Sequence, residues 1–465
     1  MSVLIAAPCS GSGKTLLSLC LTALARRRGA TIQTFKVGPD YLDPQLLAAV
    51  AGRPCRNLDT LLCGSDWVRR SFAWHGSRAD RVLVEGVMGL FDGLGPGSEA
   101  SSAAVAALLD LPVVLVVEAS RQAGSLAALV RGFRDHGPPA VRLAGVVLNR
   151  VASERHDRLL REALAAIEVP VLGVLPPAPA LELPSRHLGL HSPGEIADLP
   201  ERCCSWADLA ERHLDLPRLW PLLAPQNAAA GGDPITLGLG LAPVAASVPP
   251  TVAIASDAAF HFRYPEAQEV LVAAGLRPVP WSPLADQPLP PHSAAVLLPG
   301  GYPELHGAAL AASHRSLEAL RQAARRGVPI VAECGGLLLL GHSLRDAQGG
   351  EHALAGVLPL RAAPGRLSLG YRQATALADG VLLRRGERLW GHEFHRWQIE
   401  GCGEGQLWHL EGWGVPARAE GWSRPRLHAS WLHLHWAGQP AMVRRLAAAA
   451  ALCQREQEHR EAPHR

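Results

Sequence analysis

Lysine is almost missing from this chain of 465 residues. Of the 45 residues that are Lys or Arg, only Lys14 and Lys36 are lysine. Tyrosine, phenylalanine and methionine are also scarce, whereas Ala, Arg, Gly and Pro are abundant, as in proteins from GC-rich genomes. That bias explains the general preference for arginine. It does not explain the two exceptions, which we therefore regard as candidate functional positions.

A strong charge of one sign is absent as well. A formal net charge of +3 gives no reason to expect a nucleic acid or an anionic membrane as partner. The sequence has no run of about 18 uninterrupted apolar residues, so no membrane span is expected. The apolar start "MSVLIAAPC" lacks a basic n-region and is soon interrupted by "SGSGKT", which argues against a signal peptide. These features predict a soluble, cytoplasmic protein.

Paired cysteine motifs are missing too. The nine cysteines are scattered, their number is odd, and no two CxxC pairs occur. This pattern argues against a disulfide framework and against a structural zinc site. It suits a reducing cytoplasm.

What the sequence does contain is an alternation of short apolar runs with helical patterns, twice over. The runs are "SVLIAA", "TIQTFKVG", "RVLVEGVMG", "PVVLVVEAS", "LAGVVLNRV" and "VPVLGVLP", and later "TVAIASD", "AAVLLPGGYPE" and "VPIVAECGG". Such alternation predicts an α/β fold with mostly parallel sheets covered on both faces. A Pro/Gly/Ala-rich stretch predicts a linker over 221–250. We therefore expect domains at 1–220 and 251–452, and a polar, frayed tail at 453–465.

The first motif with chemical content is "PCSGSGKT", which lies between a predicted strand and a predicted helix. This is the context of a P-loop, although Pro8 stands where the strict GxxxxGK[ST] pattern has glycine. The backbone N–H groups from Gly11 through Ser12 and Gly13 to Lys14 are predicted to hold phosphate. Lys14 neutralises it, and Thr15 is predicted to ligate Mg²⁺.

Acidic residues and the second lysine follow neighbouring strands. Lys36, Asp40, Tyr41 and Asp43 come at the end of "TIQTFKVGPDYLDP", and Glu85 ends another apolar run. Carboxyl ends of parallel strands face the ligand crevice, so these residues are predicted to meet the terminal phosphate of a nucleotide. A compact ammonium fits between phosphate oxygens where a planar guanidinium does not, which explains the retention of Lys36. Glu85 is the predicted second Mg²⁺ contact.

The second motif with chemical content is "VPIVAECGGLLLLG", an apolar run followed by Cys334, two glycines and a helical pattern. This arrangement is typical of a strand-to-helix elbow that presents a nucleophile, with the helix N-terminus lowering the thiol pKa. "LLPGGYPE" supplies Gly300 and Gly301 as candidate oxyanion donors. "ASWLHLHWAG" is predicted to be a strand that carries His433 and His435 on one face, and either is a candidate base.

Eight segments follow one another along the chain: "SGSGKT", "FKVGPDYLDP", "VEGVMGLFDG", "LPGGYPE", "AECGGLLLLG", "LGYR", "GHEFHRW" and "LHLHWAG". In this order they resemble the cobyrinic acid a,c-diamide synthases, which are glutamine-dependent amide ligases of corrinoid synthesis. The resemblance covers nearly the whole chain. It implies a dethiobiotin-synthetase-like P-loop domain followed by a class I glutamine amidotransferase domain that lacks a full triad.

The resemblance also implies the reaction. Glutamine is hydrolysed at Cys334 through a thioester with His433 as base, and ammonia passes to the first domain. There ATP and Mg²⁺ activate the c and then the a carboxylate of a corrinoid as acyl phosphates. The family's substrate and metal segments correspond to Asp40, Tyr41, Leu42, Glu85 and Asp92, and Asp43 is a further expected metal contact.

Other interpretations stay open at this point. Cobyric acid synthase has both domains, but "VGPDYLDP" favours the a,c enzymes. The same chemistry on hydrogenobyrinic acid or nickel-sirohydrochlorin uses the same scaffold. A partitioning-type P-loop ATPase is a different class, which needs no elbow cysteine and usually has an additional loop lysine and an amphipathic tail. A homodimer is left open.

Overall fold

The computed structural model describes residues 2–183, 185–186, 189–226, 231–240, 248–400 and 407–461. The chain divides into two compact units, Met1–Pro234 (unit 1) and Ile235–Arg465 (unit 2). The boundary falls inside the segment 221–250, part of which lies outside the described residues. Each unit is described separately below.

Unit 1 is built on a seven-stranded sheet in which every strand is parallel to its neighbours. The strands are β1 (Val3–Ala6), β2 (Ile32–Val37), β3 (Arg56–Leu58), β4 (Arg81–Glu85), β5 (Pro112–Glu118), β6 (Arg142–Asn149) and β7 (Val171–Leu175). Their order is β3-β2-β4-β1-β5-β6-β7. A short antiparallel pair follows, β8 (Ser185–Arg186) with β9 (Gly189–Leu190). The predicted parallel sheet is confirmed.

Helices cover both faces of this sheet. They are α1 (Lys14–Arg27), α2 (Leu42–Ala51), α3 (Ser65–Gly76), α4 (Ser102–Leu108), α5 (Ser125–Asp135), α6 (Glu154–Ala165), α7 (Leu199–His213) and α8 (Leu216–Leu222). Buried side chains of α1, α2 and α7 form one apolar core, and those of α3 to α6 form the other. Because both faces are covered, the central strands β1 and β5 are nearly continuous apolar runs.

Unit 2 contains a second, mostly parallel sheet. Its strands are β10 (Thr251–Ala255), β11 (Arg277–Trp281), β12 (Ser293–Leu298), β13 (Ile330–Glu333), β20 (Trp422–Arg424) and β21 (Leu427–Ser430), in the order β11-β10-β12-β13-β21-β20. Only the edge strand β20 is antiparallel to its neighbour. This sheet confirms the α/β class predicted for the C-terminal half.

A further sheet of unit 2 was not predicted. It consists of β14 (Ser343–Arg345), β15 (Glu351–Ala353), β16 (Arg361–Ala376), β17 (Arg388–Glu400), β18 (Trp408–Gly412) and β19 (Val415–Glu420), mostly in antiparallel pairs. The long strands β16 and β17 carry the "LGYR" and "GHEFHRW" motifs. Those motifs are therefore placed side by side by strand pairing.

The remaining helices are α9 (Pro234–Leu239), α10 (Pro265–Ala273), α11 (Gly307–Ala311), α12 (His314–Arg325), α13 (Gly335–Leu339) and α14 (Pro440–Glu461). The structure differs from expectation near the unit boundary and at the chain end. The segment predicted as linker thus contains α9 and the end of α8. The predicted tail from 453 is helical to Glu461, because Cys453 is buried and Glu456 pairs with Arg426. Residues 462–465 lie outside the described residues.

Among the described residues, no helix has both the length and the apolar character that a membrane crossing requires.

Candidate active site

The turn between β1 and α1 has the backbone geometry of a phosphate loop. Gly13 precedes the first residue of α1 and has φ 110°, and Gly11 has φ 81°. Both values lie in the left-handed region that favours glycine. A Cβ atom on Gly13 would lie 2.3 Å from Asn149 Nδ2, so close approach is a second reason for glycine there.

This loop borders a cavity of about 540 Å³ in unit 1. Of the residues predicted from the sequence, the cavity is lined by Gly11, Gly13, Lys14, Thr15, Lys36, Asp40 and Asp43. Ser12 does not line it; this residue is buried, and its hydroxyl donates to the Cys9 carbonyl at 3.0 Å. Arg150 and Glu182 line it as well, so the cavity combines loop glycines, three cations and three carboxylates, a combination suited to a phosphorylated ligand with a metal ion.

Lys14 points from the start of α1 toward backbone oxygens of two loops. Its Nζ donates to the Met88 carbonyl at 2.5 Å and to the Cys9 carbonyl at 3.3 Å. Burial, together with the nearby Lys36, lowers the pKa of Lys14. A phosphate in the cavity would stabilise the charged form of this side chain.

Lys36 is more deeply buried, with 2% of its side chain exposed. Its Nζ donates to Asp43 Oδ2 at 2.5 Å, to Glu85 Oε1 at 2.7 Å and to the Gly86 carbonyl at 3.2 Å. Although burial opposes it, the carboxylates raise the pKa of Lys36. An ammonium has three N–H donors, and protein oxygens account for all three. The contact with phosphate expected from the sequence therefore stays a prediction.

Three carboxylates surround this one ammonium, because Asp40 Oδ2 lies 3.9 Å from Lys36 Nζ in addition to Asp43 and Glu85. Burial and the neighbouring Asp43 raise the pKa of Asp40 to about 7, and burial raises that of Glu85. The pKa of Asp43 is lowered by Lys36 although burial opposes it. The site carries more negative than positive charge when its carboxyl groups are ionised.

A hard divalent cation fits this excess of oxygen ligands. Of the predicted Mg²⁺ ligands, Asp43 and Glu85 both accept from Lys36, and Thr15 Oγ1 donates to Glu85 Oε1 at 3.0 Å. Within the described ranges, no three His, Cys, Asp or Glu side chains form a metal site by themselves. Mg²⁺ beside nucleotides is usually held by one or two protein groups, with phosphate and water supplying the rest.

Three residues predicted to contact substrate do not line the cavity. Tyr41 and Leu42 are buried, with 5% and 4% exposed, at the start of α2. Asp92 is exposed, and its Oδ2 accepts from the Gly89 N–H at 2.7 Å, so it stabilises its own loop. Asp40 alone of the predicted substrate residues reaches the cavity.

Asn149 and Arg150 line the cavity but were not singled out from the sequence. Asn149 Nδ2 donates to the Ser12 carbonyl at 3.0 Å, which fixes the phosphate loop from the end of β6. Arg150 has φ 60°, a conformation uncommon for a residue with a side chain. The available signal was a pair of polar residues at the end of an apolar strand.

In unit 2, Cys334 stands between β13 and α13 with φ 47° and ψ −106°. This strained backbone is the geometry of a nucleophile elbow. The Cys334 N–H donates to the Ser430 carbonyl at 2.7 Å. Its Sγ lies 3.8 Å from the Phe394 carbonyl, so the "GHEFHRW" strand passes beside the thiol.

The glycines around the elbow allow close backbone contacts. A Cβ atom on Gly336 would lie 2.1 Å from the Leu298 carbonyl, and one on Gly335 would lie 3.0 Å from the Gly301 nitrogen. The loop with Gly300 and Gly301 is thus adjacent to the elbow. That placement is what a backbone oxyanion donor requires.

The two candidate histidines have different surroundings. A Cβ atom on Gly300 would lie 2.3 Å from His433 Cε1, so the His433 ring packs on the glycine loop. The His435 ring stacks on Tyr264 with ring centres 4.5 Å apart, and its Nε2 lies 3.9 Å from Glu266 Oε2. The predicted strand through both was wrong: β21 ends at Ser430, and only His433 forms an isolated bridge, with His392.

Protonation also differs from expectation. Burial raises the pKa of the Cys334 thiol strongly, whereas the elbow pattern predicted a lowered value. Cys334 is 4% exposed, and this burial outweighs the opposite effect of the Gly335 N–H at the start of α13. Burial also lowers the pKa of His433 to about 3. Both shifts favour the neutral forms of the Cys334 thiol and the His433 imidazole, and a neutral imidazole can accept a proton.

A buried ionic cluster lies on the neighbouring antiparallel sheet. Glu393 Oε2 accepts from Arg372 Nε at 2.6 Å and from Ser368 Oγ at 3.0 Å, and Glu393 also pairs with Arg418. Although burial opposes it, His395 and Arg418 lower the pKa of Glu393. Through Glu393, the cluster connects β17 to β16 and to β19 next to Phe394.

Two family models match the two halves of the chain. Residues 3–190 match the CobQ/CobB/MinD/ParA nucleotide binding domain, and residues 251–441 match the CobB/CobQ-like glutamine amidotransferase domain. The chain therefore combines a nucleotide-binding domain with a glutamine amidotransferase domain.

Full-length relatives were also found. The chain is 41% identical to a cobyrinate a,c-diamide synthase of Synechococcus sp., over 95% of this chain and 97% of the relative. It is 43% identical to the enzyme of the same name from Gloeobacter violaceus, over 96% of each chain. It is 42% identical to a hydrogenobyrinate a,c-diamide synthase of Streptomyces coelicolor, over 95% of this chain and 96% of the relative.

Proposed function

Because the chain belongs to the family of cobyrinate and hydrogenobyrinate a,c-diamide synthases, we propose that it converts the a and c carboxylates of cobyrinic acid to amides, with ATP as energy source and glutamine as nitrogen donor. This is a step of cobalamin synthesis. The observation that carries the proposal is the presence of a site for each half of the reaction, the phosphate cavity and the cysteine elbow. We place the reaction in the cytoplasm, where both co-substrates are available.

The glutaminase half uses Cys334 and His433. The sulfur attacks the side-chain carboxamide carbon of glutamine while His433 accepts the thiol proton, and that proton leaves with ammonia. The backbone N–H groups of Gly300 and Gly301 stabilise the oxyanion. Water then hydrolyses the thioester, which releases glutamate and restores the thiol. His435 supports the segment through its contacts with Tyr264 and Glu266.

The synthetase half uses the cavity of unit 1. A substrate carboxylate attacks the terminal phosphorus of ATP, which gives an acyl phosphate and ADP, and ammonia then displaces phosphate to form the amide. The loop from Gly11 to Lys14 holds the phosphates. Asp40 lies at the cavity beside the transferred group. We infer that Lys36 keeps Asp43 and Glu85 ionised and oriented.

Mg²⁺ is the metal that these oxygen ligands suit. Thr15, Glu85 and Asp43 would hold it, and its chemistry is to neutralise charge on the phosphates. Tyr41, Leu42 and Asp92 remain proposed substrate-segment residues, which would shape the entrance through their loops.

Hydrogenobyrinic acid is the second candidate substrate, because one of the similar relatives carries that name at 42% identity. The test is incubation of the purified chain with ATP, Mg²⁺, glutamine and either cobyrinic or hydrogenobyrinic acid, followed by product mass. Two amides on cobyrinic acid support the proposal, and two amides on hydrogenobyrinic acid alone reassign the substrate. The proposal is overturned if neither compound is amidated and nickel-sirohydrochlorin is amidated instead.

A further inference from the structure

The two candidate histidines lie on a segment that has left the sheet. We refer to residues 430–436 as the histidine segment. It begins at the last residue of β21 and continues without regular structure to a short 3-10 turn at Trp436. Only His433 is paired, through two backbone hydrogen bonds with His392 at 2.9 and 3.0 Å, so other contacts must hold the segment on either side of it.

Glu420, a buried carboxylate on β19, holds the start of the histidine segment. Its Oε2 accepts from Ser430 Oγ at 2.6 Å, and its Oε1 accepts from the Trp431 N–H at 2.9 Å. These bonds lie on the N-terminal side of His433.

Glu333 holds the other end. It is 4% exposed and directly precedes the nucleophile. Its Oε1 accepts from Trp436 Nε1 at 3.0 Å. The next residue, Cys334, donates its N–H to the Ser430 carbonyl at 2.7 Å. The nucleophile and the residue before it thus hold the chain on both sides of His433.

A carboxylate in this place is costly for folding, since burial of a polar or charged group is unfavourable unless it is fully hydrogen-bonded. An apolar side chain would avoid the cost but would leave the Trp436 indole N–H without this acceptor. The carboxylate of Glu333 therefore contributes a hydrogen bond to the histidine segment.

We propose that Glu333 is a positioning residue for glutamine cleavage, whose carboxylate holds the histidine segment so that the His433 ring stays aligned with the Cys334 sulfur. The inference rests on the proposed glutaminase function of Cys334. Glu333 acts through the indole of Trp436, and it exchanges no proton with glutamine.

The test is Glu333→Gln in the full-length protein. A glutamine amide offers one neutral acceptor oxygen in place of the carboxylate, so the bond from Trp436 Nε1 loses its charge assistance and is weakened. We expect kcat for glutamine hydrolysis to fall ~10- to 100-fold, the range for a small misalignment of reacting groups. We expect KM for glutamine to stay close to the wild-type value, and the rate of amide synthesis from ammonium chloride to do the same. Glu333→Asp should recover part of kcat.

Trp436→Phe is the matched variant, because it removes one donor and keeps the ring. It should lower kcat at least as much as Glu333→Gln does, because it removes the bond that Glu333→Gln only weakens, and the double variant should fall short of the product of the two effects. The pH profile of Cys334 alkylation by iodoacetamide gives a readout without turnover. We expect it to shift in both variants, since the base next to the thiol has moved.

Wild-type kcat and an unchanged alkylation profile in Glu333→Gln overturn the inference, as does a rise in KM with kcat unchanged. If Glu333→Gln fails to fold, the same criteria apply to Trp436→Phe. If the wild-type chain makes no amide even from ammonia, the proposed function fails instead, and the alkylation profiles still decide whether Glu333 positions His433.

Discussion

Lys36 is a buried cation whose bonds are all made to the protein. Its ammonium is surrounded by Asp43, Glu85 and the Gly86 carbonyl, and 2% of the side chain is exposed. An arginine at this position keeps the charge but is longer and planar, and its N–H groups cannot converge on the same three oxygens. The geometry thus supplies a reason for lysine in an arginine-rich chain that composition could not.

Lys36→Arg should therefore damage phosphoryl transfer more than nucleotide binding. Long-range attraction for ATP survives because the charge is kept, but Asp43 and Glu85 lose their alignment. We expect corrin-dependent ATP hydrolysis at saturating ATP to fall ~10²–10³-fold, the usual effect of misplacing one electrostatic group. The reverse exchange at an exposed site, Arg69→Lys, is the control and should change nothing. A near-normal rate in Lys36→Arg would refute this view of the residue.

Glu420 makes the stability of the protein depend on pH in an uncommon direction. Burial raises its pKa to about 7 from an ordinary value of 4.5. Between these two values the folded protein keeps a proton that the unfolded chain has lost, so stability falls as pH rises from about 4.5 to 7. Glu420→Gln cannot ionise and lacks this dependence.

Calorimetry of Glu420→Gln and wild type at several pH values checks this. The free energy of unfolding of the variant relative to wild type should rise by on the order of 2 kcal/mol between pH 5 and pH 8. Histidines that titrate in the same range are common to both proteins and cancel in the difference. A difference that is constant across this range would show that Glu420 does not titrate there.

The cysteine elbow is an element formed by segments that are far apart in the sequence and lie in contact in the fold. The Gly300 loop, the α13 glycines and the histidine segment approach so closely that Cβ atoms on Gly300 or Gly336 would overlap their neighbours. At Gly300 the neighbour is the His433 ring, so a methyl group there displaces a side chain and leaves the backbone unstrained. This position therefore tests the alignment of the base.

Gly300→Ala should lower glutamine hydrolysis by up to ~10²-fold, the cost of about 1 Å of misplacement. Synthesis from ammonia should continue, because unit 1 is untouched. Gly132→Ala, where a Cβ atom meets nothing within 4 Å, is the control. Unchanged glutaminase activity in Gly300→Ala would mean that the His433 ring is not held against this loop during catalysis.

Local patterns predicted the elements of this fold better than the contacts between them. β1, the phosphate loop and α1 are adjacent in sequence, as are β13, Cys334 and α13, so periodicity and glycine spacing were sufficient. The alternation in "ASWLHLHW" also matched a strand, but the chain leaves the sheet at Ser430, where long-range hydrogen bonds to Glu420 and Glu333 take over. Similarly, Lys36 and Glu85 are 49 residues apart in the sequence, and no local pattern predicts the bond between them.

The whole molecule has one compact unit for each proposed half-reaction. Cys334→Ala removes the sulfur needed to release ammonia from glutamine but leaves the cavity of unit 1 intact. We expect glutamine-dependent synthesis to be abolished and synthesis from concentrated ammonium chloride to remain near the wild-type rate. Product mass with each nitrogen source measures this. Equal loss with both sources would contradict the separation of the two reactions.

The two lysines also allow the transient unfolding of unit 1 to be measured. A protease that cleaves only after lysine has two sites in the entire chain, Lys14 and Lys36, with 7% and 2% of the side chain exposed. Neither site can enter a protease while α1 and β2 are folded, so cleavage follows transient opening of this unit. Unit 2 has no lysine and contributes no cut of its own. The digestion rate, followed with and without ATP, thus measures how strongly the nucleotide protects the phosphate loop, with no label attached.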